Sequence, residues 1–174
     1  MKGKAIVLIF AIAIVLASCT SKPAPPETPA DAVTTASIVN NEAAFKKAIS
    51  SSGTWIICTL NDLSVNEDLA LEGEFHDKND TTKDLKRKIG LYAQDADKNV
   101  TARYTLTAPK LTVKSPNARI QGGTFKGDVY VSAKNFELVD ATVDGNVYFT
   151  TDDAKSTFKV DEKSKVTGKQ ELKK

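Results

Sequence analysis

The sequence contains few of the side chains that most often build covalent cross-links and metal sites. Two cysteines and one histidine, His76, occur among its 174 residues. A lone histidine cannot form a histidine cluster around a metal, and two cysteines allow at most one disulfide. We therefore predict no metal, no cofactor and a fold that is held together by its apolar core.

An excess of one charge is also absent. The chain has 24 basic and 22 acidic side chains. Two of the basic ones, Lys2 and Lys4, lie in an N-terminal segment that we expect to be removed. The remainder is formally neutral, with both signs interspersed. Since nucleic-acid binding depends on clustered positive charge, we predict no nucleic-acid partner.

The N-terminal segment has the pattern of an export signal. Lys2 and Lys4 precede an unbroken apolar run over residues 5–17. The run is too short to span a bilayer, which needs about 20 apolar residues. A short apolar run after basic residues is typical of a cleaved secretory signal. We therefore predict a signal peptide over residues 1–18, with a permanent membrane-spanning anchor as the alternative.

The apolar run ends in Leu16-Ala17-Ser18-Cys19, which resembles the lipobox of bacterial lipoproteins. The resemblance implies cleavage after Ser18, a diacylglyceryl thioether on Cys19 and acylation of the new amino group. Each buried methylene contributes about 0.8 kcal/mol, so two or more acyl chains give stable anchoring. The expected location is the cell envelope, at the outer face of the cytoplasmic membrane or at an outer membrane.

Residues 19–36 read as a lipidated cysteine followed by a proline-rich tether. Prolines with small polar neighbours favour an extended polyproline conformation. Residues 37–174 then form the predicted folded domain. With Cys19 acylated, Cys58 has no disulfide partner. Its apolar setting, Trp55 to Leu60, is typical of a small buried side chain rather than of a nucleophile.

The start of the folded domain predicts a helix and a strand. Asn40 or Asn41 can cap a helix over residues 41–51, which carries one apolar stripe and is stopped by residues 50–53. The continuous apolar run at residues 55–60 predicts a strand buried on both faces.

Two polar stretches interrupt the middle of the domain. Residues 76–86 read as an exposed loop. Residues 89–93 and 103–107 flank a turn at residues 95–99, which predicts a hairpin that projects from the main body. The turn resembles the opening of a calcium loop, but Val100 stands where glycine is required and Leu106 where the bidentate glutamate belongs. We interpret it as a turn.

An offset of 18 residues relates three sets of short alternating segments in the C-terminal half. Residues 125–131 recur as 143–149, with a weaker copy at 166–172 and an upstream relative at 71–75. Residues 118–120 match 136–138, with a later copy at 158–160, and residues 111–113 match 129–131. The alternation places Val129, Val131, Val147 and Phe149 inward and Tyr130 and Tyr148 outward. Gly127, Gly145 and Gly168 then fall at corners, and Arg119, Glu137 and Lys159 form an outward column.

Three short strands per 18-residue repeat predict an all-β fold, a small right-handed parallel β-helix. The pattern resembles the pectate-lyase-like β-helix superfamily and the rungs of the polymer-forming bactofilins, over residues 104–172 with an extension to 41–75. Helix 41–51 would cap the N-terminal end, and the charged residues 169–174 would protect the other. An antiparallel β-sandwich or meander is the alternative.

The acids that face outward do not suggest catalysis. Asp128, Glu137, Asp140 and Asp144 lie in different columns and alternate with lysines. No pair is marked out as acid and base. We therefore predict no catalytic residues and no enzyme.

Tyr130 and Tyr148 are the candidate ligand-binding residues. Stacked one level apart, about 4.8 Å, they would form an aromatic platform for a sugar ring, although aromatic residues also occur in strands for structural reasons. The sequence thus predicts a non-catalytic binding or scaffolding domain, with a cell-wall glycan or an envelope protein as candidate partner. The alternatives are a self-associating structural module and, less favoured, a carbohydrate-active protein.

Overall fold

The computed structural model describes the backbone of residues 36–173 and the side chains of residues 38–173. The predicted signal peptide, the lipidation site Cys19 and the tether up to residue 35 lie outside the described residues. No helix in the described part is long and apolar enough to cross a membrane.

Strands dominate the described residues, so the fold is all-β as predicted. The strands are β1 Ala36–Val39, β2 Ile56–Thr59, β3 Leu63–Ser64, β4 Leu69–Leu71, β5 Arg87–Gly90, β6 Tyr92–Gln94, β7 Val100–Arg103, β8 Thr105–Val113, β9 Ala118–Gln121, β10 Thr124–Val131, β11 Glu137–Val139, β12 Thr142–Asp144, β13 Val147–Phe149, β14 Lys159–Val160, β15 Lys165–Val166 and β16 Gln170–Leu172. The helices are α1 Glu42–Ile49 and α2 Asp152–Ser156, with a 3₁₀ turn at Asp77–Asn79.

All of these strands except β6 and β7 belong to two parallel sheets. The first sheet has the order β1-β2-β5-β9-β11-β14. The second stacks β3 and β4, then β8, β10, β12 with β13, and finally β15 with β16. From β2 onward, each strand of the first sheet is followed along the chain by the next strand or strand pair of the second sheet. We call each such position in the stack a level. Because all of these pairs are parallel, the antiparallel alternative is wrong for them.

The register confirms the 18-residue repeat. Val129 lies opposite Val147, and Arg119 lies opposite Glu137. At the next level the offset between paired residues is longer, since Glu137 lies opposite Lys159. The longer offset arises because α2 is inserted in the connection between β13 and β14.

The core lies between the two sheets and follows the predicted alternation. Val129, Val131 and Val147 are fully buried, and Phe149 is 1% exposed. Tyr130 and Tyr148 alternate with these residues on the outward face and are half-buried. The period of two along each strand therefore assigned both faces correctly.

A glycine column marks the bend within the strands of the second sheet. Gly127 has a φ of 141°, which favours glycine. A Cβ on Gly145 would lie 2.0 Å from the carbonyl oxygen of Gly127, and one on Gly168 would lie 2.6 Å from that of Gly145. The predicted upstream copy at residues 71–75 is wrong, because Leu71 pairs with Val113 and its glycine therefore falls beyond the column.

Helix α1 packs against β1 and β2 of the first sheet and against β4 of the second. It begins after Asn41, whose Oδ1 accepts a hydrogen bond of 2.9 Å from the amide of Ala44. It buries Phe45, Ala48 and Ile49 against β1, β2 and β4. The helix ends at Ile49, two residues earlier than predicted.

A buried arginine fastens α1 to the body of the domain. Arg87 is 0% exposed, and its Nη2 donates hydrogen bonds of 2.9 and 3.0 Å to the carbonyl oxygens of Ala48 and Ser50. Its guanidinium carbon lies 3.8 Å from the centroid of the Phe75 ring. Burial lowers the pKa of Arg87 to about 10, which leaves it charged at neutral pH. A cation is favourable at this position because the helix dipole places partial negative charge there.

Strand β2 corrects one prediction. Ile57 and Thr59 are buried, but Ile56 and Cys58 are only partly covered. The strand is therefore buried fully on one face, because its outward side chains follow the same alternation as the rest of the sheet.

The predicted hairpin is present but shorter than expected. Strands β6 and β7 pair in antiparallel fashion around the turn at residues 95–99, where Asp95 accepts a hydrogen bond of 2.8 Å from the amide of Asn99. The flanking residues belong to β5 and β8 instead. The hairpin is anchored, since Arg103 donates hydrogen bonds to the carbonyl oxygens of Gly122 and Asp140.

Candidate functional site

A hollow of about 620 Å³ lies between residues 77–86 and the outward face of β9, β11 and β14. Its lining is almost entirely polar, with Leu85 as the only apolar residue among the described lining residues. We call it the charged groove. One wall is the segment 77–86, and the other is the outward column of the first sheet.

The column wall consists of charged side chains at successive levels. Arg119 Nη2 and Glu137 Oε1 are 2.7 Å apart, and their side chains are 25% and 28% exposed. Lys159 follows at the next level and forms no ion pair or side-chain hydrogen bond within the described residues. The predicted column of alternating sign is therefore present, and its last ammonium is free.

An asparagine ladder joins the two walls. Asn117 and Asn135 have φ values of 52° and 58°, in the left-handed region that asparagine tolerates. Asn135 Nδ2 donates a hydrogen bond of 2.8 Å to Asn117 Oδ1, and Asn117 Nδ2 donates one of 2.9 Å to the carbonyl oxygen of Leu85. These residues were not predicted as functional, although their offset of 18 matches the repeat.

The segment wall is the exposed loop that the sequence predicted, and local contacts order it. His76 and Leu85 form an antiparallel bridge at its base. At its tip, Asp80 accepts hydrogen bonds from the Thr82 hydroxyl and amide, which lower the pKa of the Asp80 carboxyl. Such turns hold a short polar segment in one conformation.

The unpaired charges of the groove are mostly positive. Lys86 Nζ lies 3.4 Å from Asp77 Oδ2, and Arg119 neutralises Glu137. Among the residues that the structure describes, the Lys83 ammonium contacts one acid, Asp80, at 3.9 Å in an exposed position. The groove therefore presents a weakly held ammonium on the segment wall and a free one on the column wall.

The predicted platform residues lie away from the charged groove, on the second sheet. The ring centroids of Tyr130 and Tyr148 are 5.0 Å apart and the rings are tilted by 46°. Lys173 Nζ donates a hydrogen bond of 3.1 Å to Tyr130 Oη and lies 4.5 Å from the Tyr148 centroid. This hydrogen bond raises the pKa of Lys173. The two rings are adjacent as predicted, and their role in ligand binding stays a prediction.

The four outward acids weighed for catalysis each have a structural partner. Asp128 accepts hydrogen bonds from Asn146, Glu137 pairs with Arg119, Asp140 pairs with Arg103 and Asp144 accepts a hydrogen bond from Thr167. Three of these contacts join neighbouring levels of the sheets, and the contact between Asp140 and Arg103 fastens the β6–β7 hairpin.

Two other kinds of candidate site among the described residues are metal-binding clusters and a reactive cysteine. Within residues 38–173, no group of three or more histidine, cysteine, aspartate or glutamate side chains is placed to hold a metal ion. Cys58 is partly exposed, and burial raises the pKa of its thiol. Comparisons with protein-family models, with curated proteins and with solved structures found no match to this chain.

Proposed function

We propose that this chain is a lipid-anchored protein of the bacterial cell envelope whose folded domain binds an acidic cell-wall glycan in the charged groove. The observation that carries the proposal is the pair of available ammonium groups, Lys83 and Lys159, on opposite walls of one hollow. The lipobox resemblance at residues 16–19 supports the location.

The fold behind this site is, in our proposal, a right-handed parallel β-helix. Parallel pairing at an offset of 18 residues supports it, as does the regular passage of the chain between the two sheets. Parallel crossover connections are right-handed in about 98% of cases, which supports the hand. Helix α1 is then the amino-terminal cap.

The dimensions of the groove suit an extended ligand. Ligand sites commonly enclose about 300–1,000 Å³, and the groove encloses about 620 Å³. From Arg119 to Lys159 the wall crosses two strand spacings, which is roughly 10 Å at about 4.8 Å each. A carboxylate-bearing sugar chain can contact both walls over that length.

The walls are fixed before a ligand arrives. The asparagine ladder ties Leu85 to Asn117 and Asn135, and the ion pair holds Arg119 against Glu137. A site that is already ordered loses less conformational entropy on binding. This arrangement favours recognition of a ligand by a rigid surface.

Binding rather than turnover is proposed because the acids of the groove are engaged. Asp77 and Glu137 each lie beside a cation. Hydrolysis of a glycosidic bond commonly uses two carboxyl groups that face each other across that bond. Asp84 is the remaining carboxylate of the lining, and a single carboxylate does not complete such a pair.

Co-sedimentation with insoluble cell-wall glycan tests the proposal. The full chain in mild detergent is mixed with purified cell walls and pelleted. Lys83→Glu combined with Lys159→Glu should weaken retention by about a hundredfold, since a tenfold loss per charge corresponds to about 1.4 kcal/mol. Lys126→Glu, an exposed position outside the lining, is the matched control.

The same assay separates the groove from the tyrosine pair. Tyr130→Ala with Tyr148→Ala should leave retention within about twofold of the parent, because neither ring lines the groove. Retention that depends on the tyrosines and not on Lys83 and Lys159 would move the site to the second sheet. Equal retention of all variants would refute both sites.

A further inference from the structure

Two asparagines of the chain begin the tripeptide that accepts N-linked glycans. The tripeptides are Asn-Asp-Thr at residues 79–81 and Asn-Val-Thr at residues 99–101. Asparagine followed at the second position by serine or threonine, with no proline between them, is the acceptor for such glycans in exported proteins. Both tripeptides follow Asp-Lys, so residues 77–81 and 97–101 share the pattern Asp-Lys-Asn-x-Thr. Because the local sequences match so closely, a difference between the two sites has to come from the fold.

The first tripeptide lies at the tip of the segment wall. Asn79 ends the 3₁₀ turn, and its backbone amide donates a hydrogen bond of 3.0 Å to the carbonyl oxygen of His76. Asn79 and Thr81 are exposed, and their side chains form no hydrogen bond with any residue that the structure describes. Residues 78–81 do not line the charged groove. The side-chain amide of Asn79 and the hydroxyl of Thr81 are therefore both open to a transferring enzyme.

The second tripeptide is held within the β6–β7 hairpin. Asn99 Nδ2 donates a hydrogen bond of 3.0 Å to Asp95 Oδ2, and the backbone amide of Asn99 donates one of 2.8 Å to Asp95 Oδ1. These hydrogen bonds lower the pKa of the Asp95 carboxyl, so the acceptor is charged and the bonds are strong at neutral pH. Val100 and Thr101 belong to β7, which pairs with β6. An enzyme that takes up the asparagine and threonine side chains together has to break these contacts.

We propose that Asn79 is an acceptor site for an N-linked glycan and that the fold protects Asn99 from the same modification. The glycan donor is an oligosaccharide joined through pyrophosphate to a membrane polyprenol. Asn79 Nδ2 forms a bond to C1 of the first sugar, and the bond from C1 to the pyrophosphate oxygen breaks with its electron pair on that oxygen. Nδ2 releases one proton, which balances the added negative charge of the departing polyprenyl pyrophosphate. Since this donor lies at the outer face of the cytoplasmic membrane, the proposal rests on the exported location proposed above.

Transfer to the purified, folded full chain tests the acceptor site without any need for export. The chain in mild detergent is incubated with a bacterial oligosaccharyltransferase, its divalent cation and the polyprenyl-pyrophosphate oligosaccharide, and its intact mass gives the number of glycans added. We expect one glycan per chain, located at Asn79 by peptide mapping. Asn79→Gln and Thr81→Ala should each reduce transfer at least tenfold, whereas Asn99→Gln should leave transfer within about twofold of the parent.

Asp95→Ala is the matched variant for the protected site. It keeps the sequence of residues 97–101 and removes both hydrogen bonds from Asn99 to Asp95. Transfer to Asn99 should rise at least fivefold in this variant, while transfer to Asn79 stays within about twofold of the parent. Circular dichroism verifies that the domain is folded. Unchanged transfer to Asn99 would overturn the protection that we assign to the hairpin.

Expression in bacteria that hold the same enzyme supplies the second arm. The full chain should carry the glycan on Asn79, and deletion of residues 2–18 should abolish the modification because the donor lies outside the cytoplasm. Transfer in vitro that is absent from the full chain in cells would contradict the exported location. No transfer to the folded chain in vitro, or equal transfer to the two asparagines, would overturn the acceptor site. None of the substitutions alters a residue that lines the charged groove, so retention on cell walls is tested independently.

Discussion

Alanine at Gly145 should destabilise the domain, whereas alanine at Gly90 should stabilise it. A Cβ on Gly145 would lie 2.0 Å from the carbonyl oxygen of Gly127, one level away. The obstructing atom is backbone, so relief requires the two levels to separate locally. A Cβ on Gly90 would meet its nearest neighbour, Cys58 Sγ, at 3.5 Å, which is ordinary contact.

The magnitudes follow from two opposing effects. Overpacking of a rigid site costs typically about 1–3 kcal/mol, and contact with backbone places Gly145→Ala near the upper end. Replacing glycine by alanine at a compatible backbone conformation stabilises by about 0.4–1 kcal/mol through the unfolded chain. We therefore expect a net loss of about 2 kcal/mol for Gly145→Ala and a gain of about 0.5 kcal/mol for Gly90→Ala.

Urea unfolding measures both changes. Trp55 is the only tryptophan and is 9% exposed, so its fluorescence reports exposure of the core on unfolding. The two variants should shift the midpoint in opposite directions. Equal shifts, or a Gly145→Ala midpoint at or above that of the parent, would show that the levels do not stack as closely as the register requires.

Three further predictions concern Arg87, Asp161 and Cys58. Arg87→Met should destabilise the domain by about 2–4 kcal/mol, because it removes two hydrogen bonds from a charged donor, which contribute about 1.5–3 kcal/mol each. The loss stays below the sum of the two because both carbonyl acceptors keep a backbone partner. Hydrogen exchange should quicken in α1, and unchanged exchange would refute the role of Arg87 in fastening the helix. Asp161 accepts hydrogen bonds from the Ser164 hydroxyl and the Asp140 amide, which lower the pKa of its carboxyl. Its stabilising contribution should be present above the ordinary value of 3.8 and be lost as pH falls through the lowered pKa, so denaturation curves of Asp161→Ala and the parent should converge in acid, and a constant difference would refute this. At mildly alkaline pH, Cys58 of the folded chain should react with iodoacetamide more slowly than a free thiol, because burial raises its pKa. In urea, Cys58 should react at the same rate as a free thiol. Fast reaction of the folded chain would show that Cys58 is not covered.

The sequence predicted the stacked part of the domain well because strand pairing imposes a visible spacing. Val129 and Val147 share a column, and so do Arg119 and Glu137. In each case, 18 residues separate two positions that lie side by side on neighbouring strands. The period of two then separates inward from outward side chains.

The candidate groove was not predictable in the same way. Segment 77–86 has no repeat, and its order depends on a bridge between His76 and Leu85 and on the contact of Leu85 with Asn117. Arg87 resembles any surface arginine in sequence, yet tertiary contacts bury it. The pattern around Gly73 matches the repeat and so predicts that it belongs to the glycine column. Leu71 pairs with Val113, however, which places Gly73 beyond that column.

Chemical-shift mapping of the isotope-labelled chain with soluble fragments of cell-wall glycan tests binding in the charged groove most directly. If the charged groove binds glycan, saturable shifts should appear in the amides of residues 77–86 and of Arg119, Glu137 and Lys159, and they should be lost in the Lys83→Glu, Lys159→Glu variant. Saturable shifts confined to Tyr130 and Tyr148, or no shifts at any fragment concentration, would contradict it.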